Sequence, residues 1–321
     1  MKAWVLQDYG VLSLVETAEP SGQGVLLRVE ACGLCGSDLS AYKGTSAMRA
    51  RWRPPLVLGH EVAGVVEEGP PELLGQAVAV HPASPCGLCS TCRQRRPHLC
   101  ERRVHIGYHC PGGLAERILV PPEAAYPLPK GLPSWKGALA EPLAVALHGA
   151  ALVGSEKGEE VLVLGGGAIG SLAAFALGLR GARVHIAEAN PRRATFLARL
   201  GLGKVAAAPE AFGKTFPLVL DTVGQEASLK AALDTCAPGG RVTVLGLGGV
   251  EIPLPVAYLV LEEKQVQGSY LFTPEEFAEA VALLPRLPEE LVRLWPITQA
   301  DQAFRSLLAG EVPEPKVVLV W

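Results

Sequence analysis

The chain is poor in several features, and each shortage excludes a class of protein. None of its apolar runs, such as 161–164 and 317–321, approaches the roughly 20 residues of a membrane-spanning helix. The formal net charge is −3, so the basic excess of a nucleic-acid-binding protein is missing. The first ten residues lack the apolar core of a secretory leader. These shortages predict a cytoplasmic protein with neither membrane nor nucleic-acid partners.

The composition predicts about two folded domains. The chain has 321 residues, 49% of them hydrophobic and 19% charged, which is enough apolar material for large cores. The first part contains short β-type runs separated by Gly and Pro, which indicate a sandwich or barrel. These runs are Gly24–Val29, Val62–Glu67, Ala77–Val80 and Ala115–Val120. The Pro-rich segment 121–136 predicts no regular element, and a helical pattern interrupted by Pro142 follows to about Leu152.

The pattern changes near Glu159 to strands alternating with helices. This alternation predicts a parallel, doubly wound sheet. The predicted strands are Glu160–Leu164, Arg183–Ala187, Leu218–Thr222 and Arg241–Leu245, with helices at Ile169–Leu179 and Pro191–Leu200 and a closing strand at Lys316–Trp321.

A glycine-rich turn between the first of these strands and helices indicates a dinucleotide site. Its glycines have G-x-G-x-x-G spacing, and the helix that follows would point free N–H groups at a pyrophosphate. Glu188 ends the second strand, where a carboxylate would bind ribose hydroxyls and repel a 2′-phosphate, which favours NAD over NADP. Arg192 and Arg193 follow and weaken that preference. The predicted cofactor contacts here are Gly165, Gly167, Ala168, Ile169, Gly170, Glu188 and Arg193.

Four cysteines between residues 86 and 100 form the most specific pattern. Four thiolates this close can surround one tetrahedral Zn²⁺ with no open position, which is a structural site. An iron–sulfur cluster is the alternative, although ferredoxin runs have a shorter last spacing followed by Pro. The predicted ligands are Cys86, Cys89, Cys92 and Cys100, in a lobe spanning about 84–102.

A second metal site is predicted from residues far apart in the chain. Cys35 and His60 are a thiolate and an imidazole in separate turns, and Glu141 is the candidate third ligand. Three protein ligands leave a fourth position open, which is typical of a catalytic zinc.

Taken together, these motifs resemble the zinc-dependent medium-chain alcohol dehydrogenase family, in its polyol (sorbitol-type) and threonine dehydrogenase branch. The resemblance covers essentially the whole length and includes C-G-S-D at Cys35, G-H-E at Gly59, G-G-L-A-E at Gly112, E-P-L at Glu141, D-T-V-G at Asp221 and K-V-V-L at Lys316. It implies an α/β plus β-rich fold: a GroES-like catalytic domain at 1–145 and 286–321, and an inserted Rossmann domain at 146–285. It also implies an active site in the cleft between the two domains.

The resemblance also implies roles for individual residues. Cys35, His60 and Glu141 would bind the catalytic zinc, with Glu61 hydrogen-bonding zinc-bound water or entering the coordination sphere. Asp38 would fix the His60 tautomer, and Ser37 would start the proton relay. Ser40 stands where many members have the relay histidine, so the route of the proton stays open. Further cofactor contacts would come from Asp221, Val223, Leu245, Gly246 and Lys316.

The implied activity is hydride transfer between NAD and a secondary alcohol, polyol or 3-hydroxy amino acid such as threonine. It would require two Zn²⁺ per chain and NAD, with NADP less favoured. The alternatives are a zinc-free, NADPH-dependent quinone or enoyl reductase and a non-catalytic protein that binds zinc and NAD. The loop Ala41–Pro54 and the segment after Gly268 are predicted to line the substrate pocket. A homodimer or homotetramer is expected, and the apolar run Ile252–Leu261 would suit its interface.

Overall fold

The chain divides into two compact units in a computed structural model that describes residues 1–45, 49, 53–249 and 251–321. The first unit comprises Met1–Glu141, Thr273–Val312 and Lys316–Trp321, and the second comprises Pro142–Phe272 and Pro313–Pro315. Part of the loop predicted to line the pocket, residues 46–48 and 50–52, lies outside the described residues.

The strands are β1 Lys2–Asp8, β2 Val11–Glu16, β3 Val25–Gly33, β4 Leu56–Val57, β5 Glu61–Glu68, β6 Ala77–Val80, β7 Ala83–Ser84, β8 Val104–His105, β9 Arg117–Val120, β10 Ala125–Pro127, β11 Glu160–Leu164, β12 Arg183–Ala187, β13 Lys204–Ala206, β14 Phe216–Asp221, β15 Cys236–Val244, β16 Gln265–Gly268, β17 Val292–Pro296 and β18 Lys316–Val320. The helices are α1 Gly36–Lys43, α2 Ser90–Arg93, α3 Ala140–Val153, α4 Ala168–Leu179, α5 Pro191–Leu200, α6 Glu226–Thr235, α7 Val256–Leu261, α8 Pro274–Leu283 and α9 Ala300–Leu308. Short 3₁₀ turns include Pro97–Leu99 and Ser134–Leu139.

A seven-stranded sheet organises the first unit, as the alternating apolar runs predict. Its strand order is β10-β6-β5-β3-β18-β17, with β9 also paired to β3. Strand β3 is antiparallel to β5 and β18, so the end of the chain completes a sheet that begins near its start. The core beneath it is made of inward-facing aliphatic side chains, with Val25, Leu27 and Leu319 fully buried. This packing fixes the positions of the loops that leave β3 and precede β5.

The second unit confirms the predicted doubly wound sheet. Its six strands are all parallel, in the order β13-β12-β11-β14-β15-β16. The first strand of the unit, β11, is therefore central, and the strand order reverses between it and β14. Ligands of such sheets bind outside the carboxyl ends of the strands at this reversal. The glycine-rich turn lies there.

Three local predictions differ from the structure. Helix α8 packs in the first unit, whereas the predicted boundary at residue 286 places it in the second. The physical reason is Phe277, which is fully buried with its ring 4.8 Å from that of Tyr126 and 5.0 Å from His81. The segment predicted to be irregular contains the short strand β10, which pairs with β6. Pro142 lies in the first turn of α3, where proline is tolerated, and does not interrupt the helix.

No helix among the residues that the structure describes is long and apolar enough to cross a membrane.

Candidate active site

The glycine-rich turn joins β11 to α4, and the space around the backbone differs from one of its glycines to the next. Gly165 has a φ of 90°, which favours glycine. A Cβ at Gly167 would meet no atom within 4 Å, so this side of the turn is open. A Cβ at Gly170 would collide with the Gly165 carbonyl oxygen, so only glycine permits this close approach. The open side and the unpaired N–H groups at Ala168 and Ile169 form a cradle suited to a pyrophosphate.

Glu188 is fixed beside this turn by backbone N–H groups. Its Oε2 accepts a hydrogen bond from the Gly166 N–H at 2.8 Å, and its Oε1 accepts one from the Asn190 N–H at 2.7 Å. The Arg193 guanidinium lies 3.5 Å from Oε2. The carboxylate is thus buried, oriented and adjacent to the phosphate cradle, where a ribose would be expected.

Asp221 organises the neighbouring turn from within. Its Oδ1 accepts hydrogen bonds from the N–H groups of Val223 and Gly224, and its Oδ2 accepts one from the Ser228 hydroxyl at 2.9 Å. Because the side chain is fully buried and both oxygens are used, Asp221 shapes the turn from within. The cofactor contact of Asp221 that the resemblance implies stays a prediction. The half-buried residues of the two adjoining turns that could line a ligand are Val223, Leu245 and Gly246.

The four predicted cysteine ligands lie together in the first unit. Their sulfur atoms are all within 4.8 Å of one another, and all four cysteines are free. The Cys89 sulfur is 3.4 Å from that of Cys92 and 3.7 Å from that of Cys100. Four sulfurs bound to one zinc at about 2.3 Å would be about 3.8 Å apart, so the group fits a single tetrahedral ion. A hydrogen bond with the Thr91 hydroxyl helps lower the pKa of Cys89 to about 6, which favours the thiolate.

Asp38 lies close to both Cys35 and His60. Cys35 is the N-cap of α1, and its N–H donates to Asp38 Oδ2 at 2.9 Å. The other Asp38 oxygen lies 3.6 Å from His60 Nδ1. Since Nδ1 faces this fully buried carboxylate, Nε2 is the nitrogen left for a metal. At 3.6 Å the two atoms face each other without a hydrogen bond, so the role of Asp38 in fixing the histidine tautomer stays a prediction.

Glu61 completes this metal-binding group in the structure. One ligand atom each from Cys35, His60 and Glu61 lies within 4.8 Å of the others. Glu141, the predicted third ligand, is buried nearby but is not in this group of atoms. Burial raises the pKa of Glu141 to about 7, and the neighbouring Glu61 adds to the effect. The donor set of thiolate, imidazole and carboxylate is one that zinc prefers.

Lys316 belongs to the same cluster. Its ammonium forms an ion pair with Glu61 and donates to the Leu34 carbonyl at 2.9 Å. Both charged side chains are almost fully buried. Its ammonium is held by these partners within the first unit, and the contact with a pyrophosphate that the resemblance implies stays a prediction.

Two residues that sequence reasoning did not assign complete the site. The Tyr108 hydroxyl is 2.8 Å from the Ser37 hydroxyl, and its ring centroid is 4.9 Å from that of His60. His105 also packs against His60, with ring centroids 5.5 Å apart. His109 accepts a hydrogen bond from the His105 N–H and is itself exposed. The sequence offered only weak signals for these residues, since they lie about seventy positions from Ser37.

A doubly wound sheet with a dinucleotide cradle, next along the chain to a β-rich unit with two groups of zinc-type ligands, defines the class of zinc-binding dehydrogenases. Comparison with known families supports this class. Residues 21–130 match the alcohol dehydrogenase GroES-like domain, and residues 168–286 match the zinc-binding dehydrogenase family.

Individual relatives extend the match over nearly the full chain. L-idonate 5-dehydrogenase (NAD(P)(+)) of Escherichia coli K12 is 30% identical over 331 aligned positions, which cover 95% of this chain and 94% of the relative. L-threonine 3-dehydrogenase of Deinococcus deserti is 29% identical, with coverage of 95% and 94%. Alcohol dehydrogenase TADH from Thermus sp. ATN1 superposes with a TM-score of 0.90 at 28% identity, covering 100% of both chains. The chain belongs to the zinc-type alcohol dehydrogenase family, which confirms the predicted GroES-like and Rossmann fold.

Proposed function

We propose that this chain oxidises a secondary alcohol, polyol or 3-hydroxy amino acid with NAD, using two zinc ions. The observation that carries the proposal is the group formed by Cys35, His60 and Glu61. The Ser37 hydroxyl bonds to Tyr108, whose ring packs against that of His60. The relatives include dehydrogenases of idonate and threonine, whose names indicate hydroxyl-bearing substrates of this kind.

The catalytic zinc would be held by Cys35, His60 and a glutamate, either Glu61 or Glu141. Zinc bound there supplies Lewis acidity that lowers the pKa of a substrate hydroxyl. The Asp38 carboxylate would orient the histidine, and the Ser37 hydroxyl would accept a hydrogen bond from the substrate hydroxyl at the start of the proton relay. The buried ammonium of Lys316 pairs with the Glu61 carboxylate and balances its negative charge.

The second zinc would be structural and bound by the four cysteines. No polar ligand other than sulfur is needed there, because the sulfur spacing already matches a closed tetrahedral site. Free thiols in this number also favour a reducing compartment, and we place the protein in the cytosol.

The test is zinc content per chain combined with turnover. Wild type should bind two zinc ions and reduce NAD with 2-butanol, D-sorbitol or L-threonine. Cys35→Ala should bind one zinc ion and lose turnover, because it removes a ligand only from the group around His60. Cys110→Ala is the matched control, since Cys110 is half-buried and outside both ligand groups. One zinc ion in both wild type and Cys35→Ala would contradict the proposal and favour the zinc-free reductase or the non-catalytic alternative.

NAD is the proposed cofactor because Glu188 is held rigidly beside the phosphate cradle. A 2′-phosphate would place negative charge against a buried carboxylate, whereas ribose hydroxyls can donate to it. The ratio of kcat/KM with NAD to kcat/KM with NADP measures this preference. A ratio below one would overturn it and assign the decisive contact to Arg193.

A homodimer is the proposed assembly. Strand β16 is at the edge of the six described parallel strands, and the neighbouring helix α7 exposes apolar side chains. Val256, Val260 and Leu261 are between 62% and 80% exposed, which is unusual for a monomer surface. Light scattering should give a dimer for wild type and a monomer for Val260→Glu/Leu261→Glu. Leu88→Glu, at a 70% exposed leucine in the cysteine lobe, should leave the mass unchanged.

A further inference from the structure

We propose that Tyr108 is a positioning residue whose hydroxyl fixes the Ser37 hydroxyl so that it can accept a hydrogen bond from the substrate hydroxyl. This inference rests on the proposed function of the site, and adds a residue that neither the motifs nor the resemblance assigned.

The loop that carries Tyr108 packs closely against Gly59, the residue before His60. Gly107 has a φ of 73°, and its N–H donates to the Cys110 carbonyl at 3.0 Å. A Cβ at Gly107 would lie 2.7 Å from the Gly59 carbonyl oxygen, so glycine is required for this approach. Since Gly59 directly precedes His60, the close contact sets Tyr108 beside the histidine.

The ring of Tyr108 is held by two histidines. Its centroid lies 4.9 Å from that of His60 and 4.3 Å from that of His105, in a tilted and an edge-on arrangement. The His105 ring is anchored in turn, because its Nδ1 is 2.8 Å from the Ile106 carbonyl. The phenol packs against both of these rings, and its hydroxyl lies 2.8 Å from Ser37 Oγ.

A serine hydroxyl without a fixed partner rotates among staggered positions, so only part of its population would face a substrate. The bond to Tyr108 removes this freedom. When Ser37 donates to the phenol, both lone pairs of Ser37 Oγ stay open to accept a hydrogen bond from the substrate hydroxyl. A fixed Ser37 hydroxyl matters more in this chain, because Ser40 stands where many members of the family have a relay histidine that acts as a base.

The test is a double-mutant cycle in the zinc-loaded enzyme with NAD and the best substrate among 2-butanol, D-sorbitol and L-threonine. Tyr108→Phe keeps the ring and removes only the hydroxyl, and it should lower kcat about 5- to 30-fold with little change in KM. In the Ser37→Ala background the same substitution should change kcat less than about twofold, because the hydroxyl that Tyr108 positions is gone. A merely structural tyrosine would lower kcat equally in both backgrounds, and that result would refute the proposal.

Two further measurements separate this inference from the function itself. Urea unfolding of the metal-free variants should give a change in midpoint for the double variant that differs from the sum of the two single changes, since the hydrogen bond exists without zinc. Additive changes in midpoint would contradict the hydrogen bond. Tyr126→Phe is the control, since Tyr126 also packs near a histidine and Phe277 but is not among the residues assigned to the site. Its kcat should equal that of wild type. No turnover in zinc-loaded wild type would refute the proposed function and the positioning role together, while turnover with additive kcat effects would refute the positioning role alone.

Discussion

Removal of the buried cation at Lys316 should destabilise the first unit strongly. Lys316→Met keeps most of the side-chain volume but leaves the Glu61 carboxylate without its ammonium partner. The two side chains are only 3% and 1% exposed, so water cannot replace the lost charge. Breaking a buried ion pair in this way costs about 3–5 kcal/mol. That is a large share of the roughly 5–15 kcal/mol that holds a typical domain folded.

The assay is urea unfolding of chelator-treated protein, followed by tryptophan fluorescence. Trp4, Trp135, Trp295 and Trp321 lie in the first unit, and the second unit has no tryptophan, so the signal reports the unit that contains the pair. Removal of zinc is necessary because a metal bound by Glu61 would compensate for the missing ammonium.

Two variants complete the design. Adding Glu61→Gln to Lys316→Met removes the unpaired charge and should recover more than half of the lost stability. Arg305→Met breaks an exposed pair with Asp301 in the first unit, and should leave the unfolding midpoint close to that of wild type. A loss below about 1 kcal/mol for Lys316→Met, or no recovery with Glu61→Gln, would refute the assignment of a buried pair.

Three further outcomes are expected. Gly170→Ala should lower both stability and NAD affinity, because its Cβ collides with the Gly165 carbonyl. Gly178→Ala in the same helix meets no atom within 4 Å and should stabilise the chain by about 0.5–1 kcal/mol. Urea titration measures the stability of both variants, and NAD fluorescence titration measures their NAD affinity. Glu188→Ala should lower the NAD-to-NADP ratio of kcat/KM about 10- to 100-fold, and an unchanged ratio would contradict its role. Burial lowers the pKa of His81 in the folded chain to about 4, so below pH 6.5 the unfolded chain binds a proton that the folded chain does not. The free energy of unfolding should therefore fall by about 3 kcal/mol as the pH drops from 6.5 to 4. His81→Phe should lose less free energy of unfolding over that interval, as measured by pH-dependent urea unfolding.

The glycine-rich turn and the cysteine lobe were predictable because their determinants are local. Gly165, Gly167 and Gly170 lie within six residues, so strand, turn and helix geometry fix their arrangement without help from the rest of the chain. The cysteines from Cys86 to Cys100 are likewise joined by short turns that bring their sulfurs together. Cys35, His60 and Asp38 were predictable only as a motif set, since their contact depends on the pairing of β3 with β5.

Tertiary structure decided the remaining features, since each depends on strand register. The antiparallel register of β18 on β3 brings Lys316 to Leu34 and Glu61, across 282 residues of sequence in the first case. No periodicity in the sequence encodes that register. The sequence by itself therefore determined the class of chemistry, which is dinucleotide and zinc binding. The glycine-rich turn and the cysteine lobe that carry it are short segments whose geometry is set locally. Only the packed sheet brings Glu61 to Cys35 and His60, and the Tyr108 hydroxyl to Ser37, because contacts between distant segments are set by burial of their shared core.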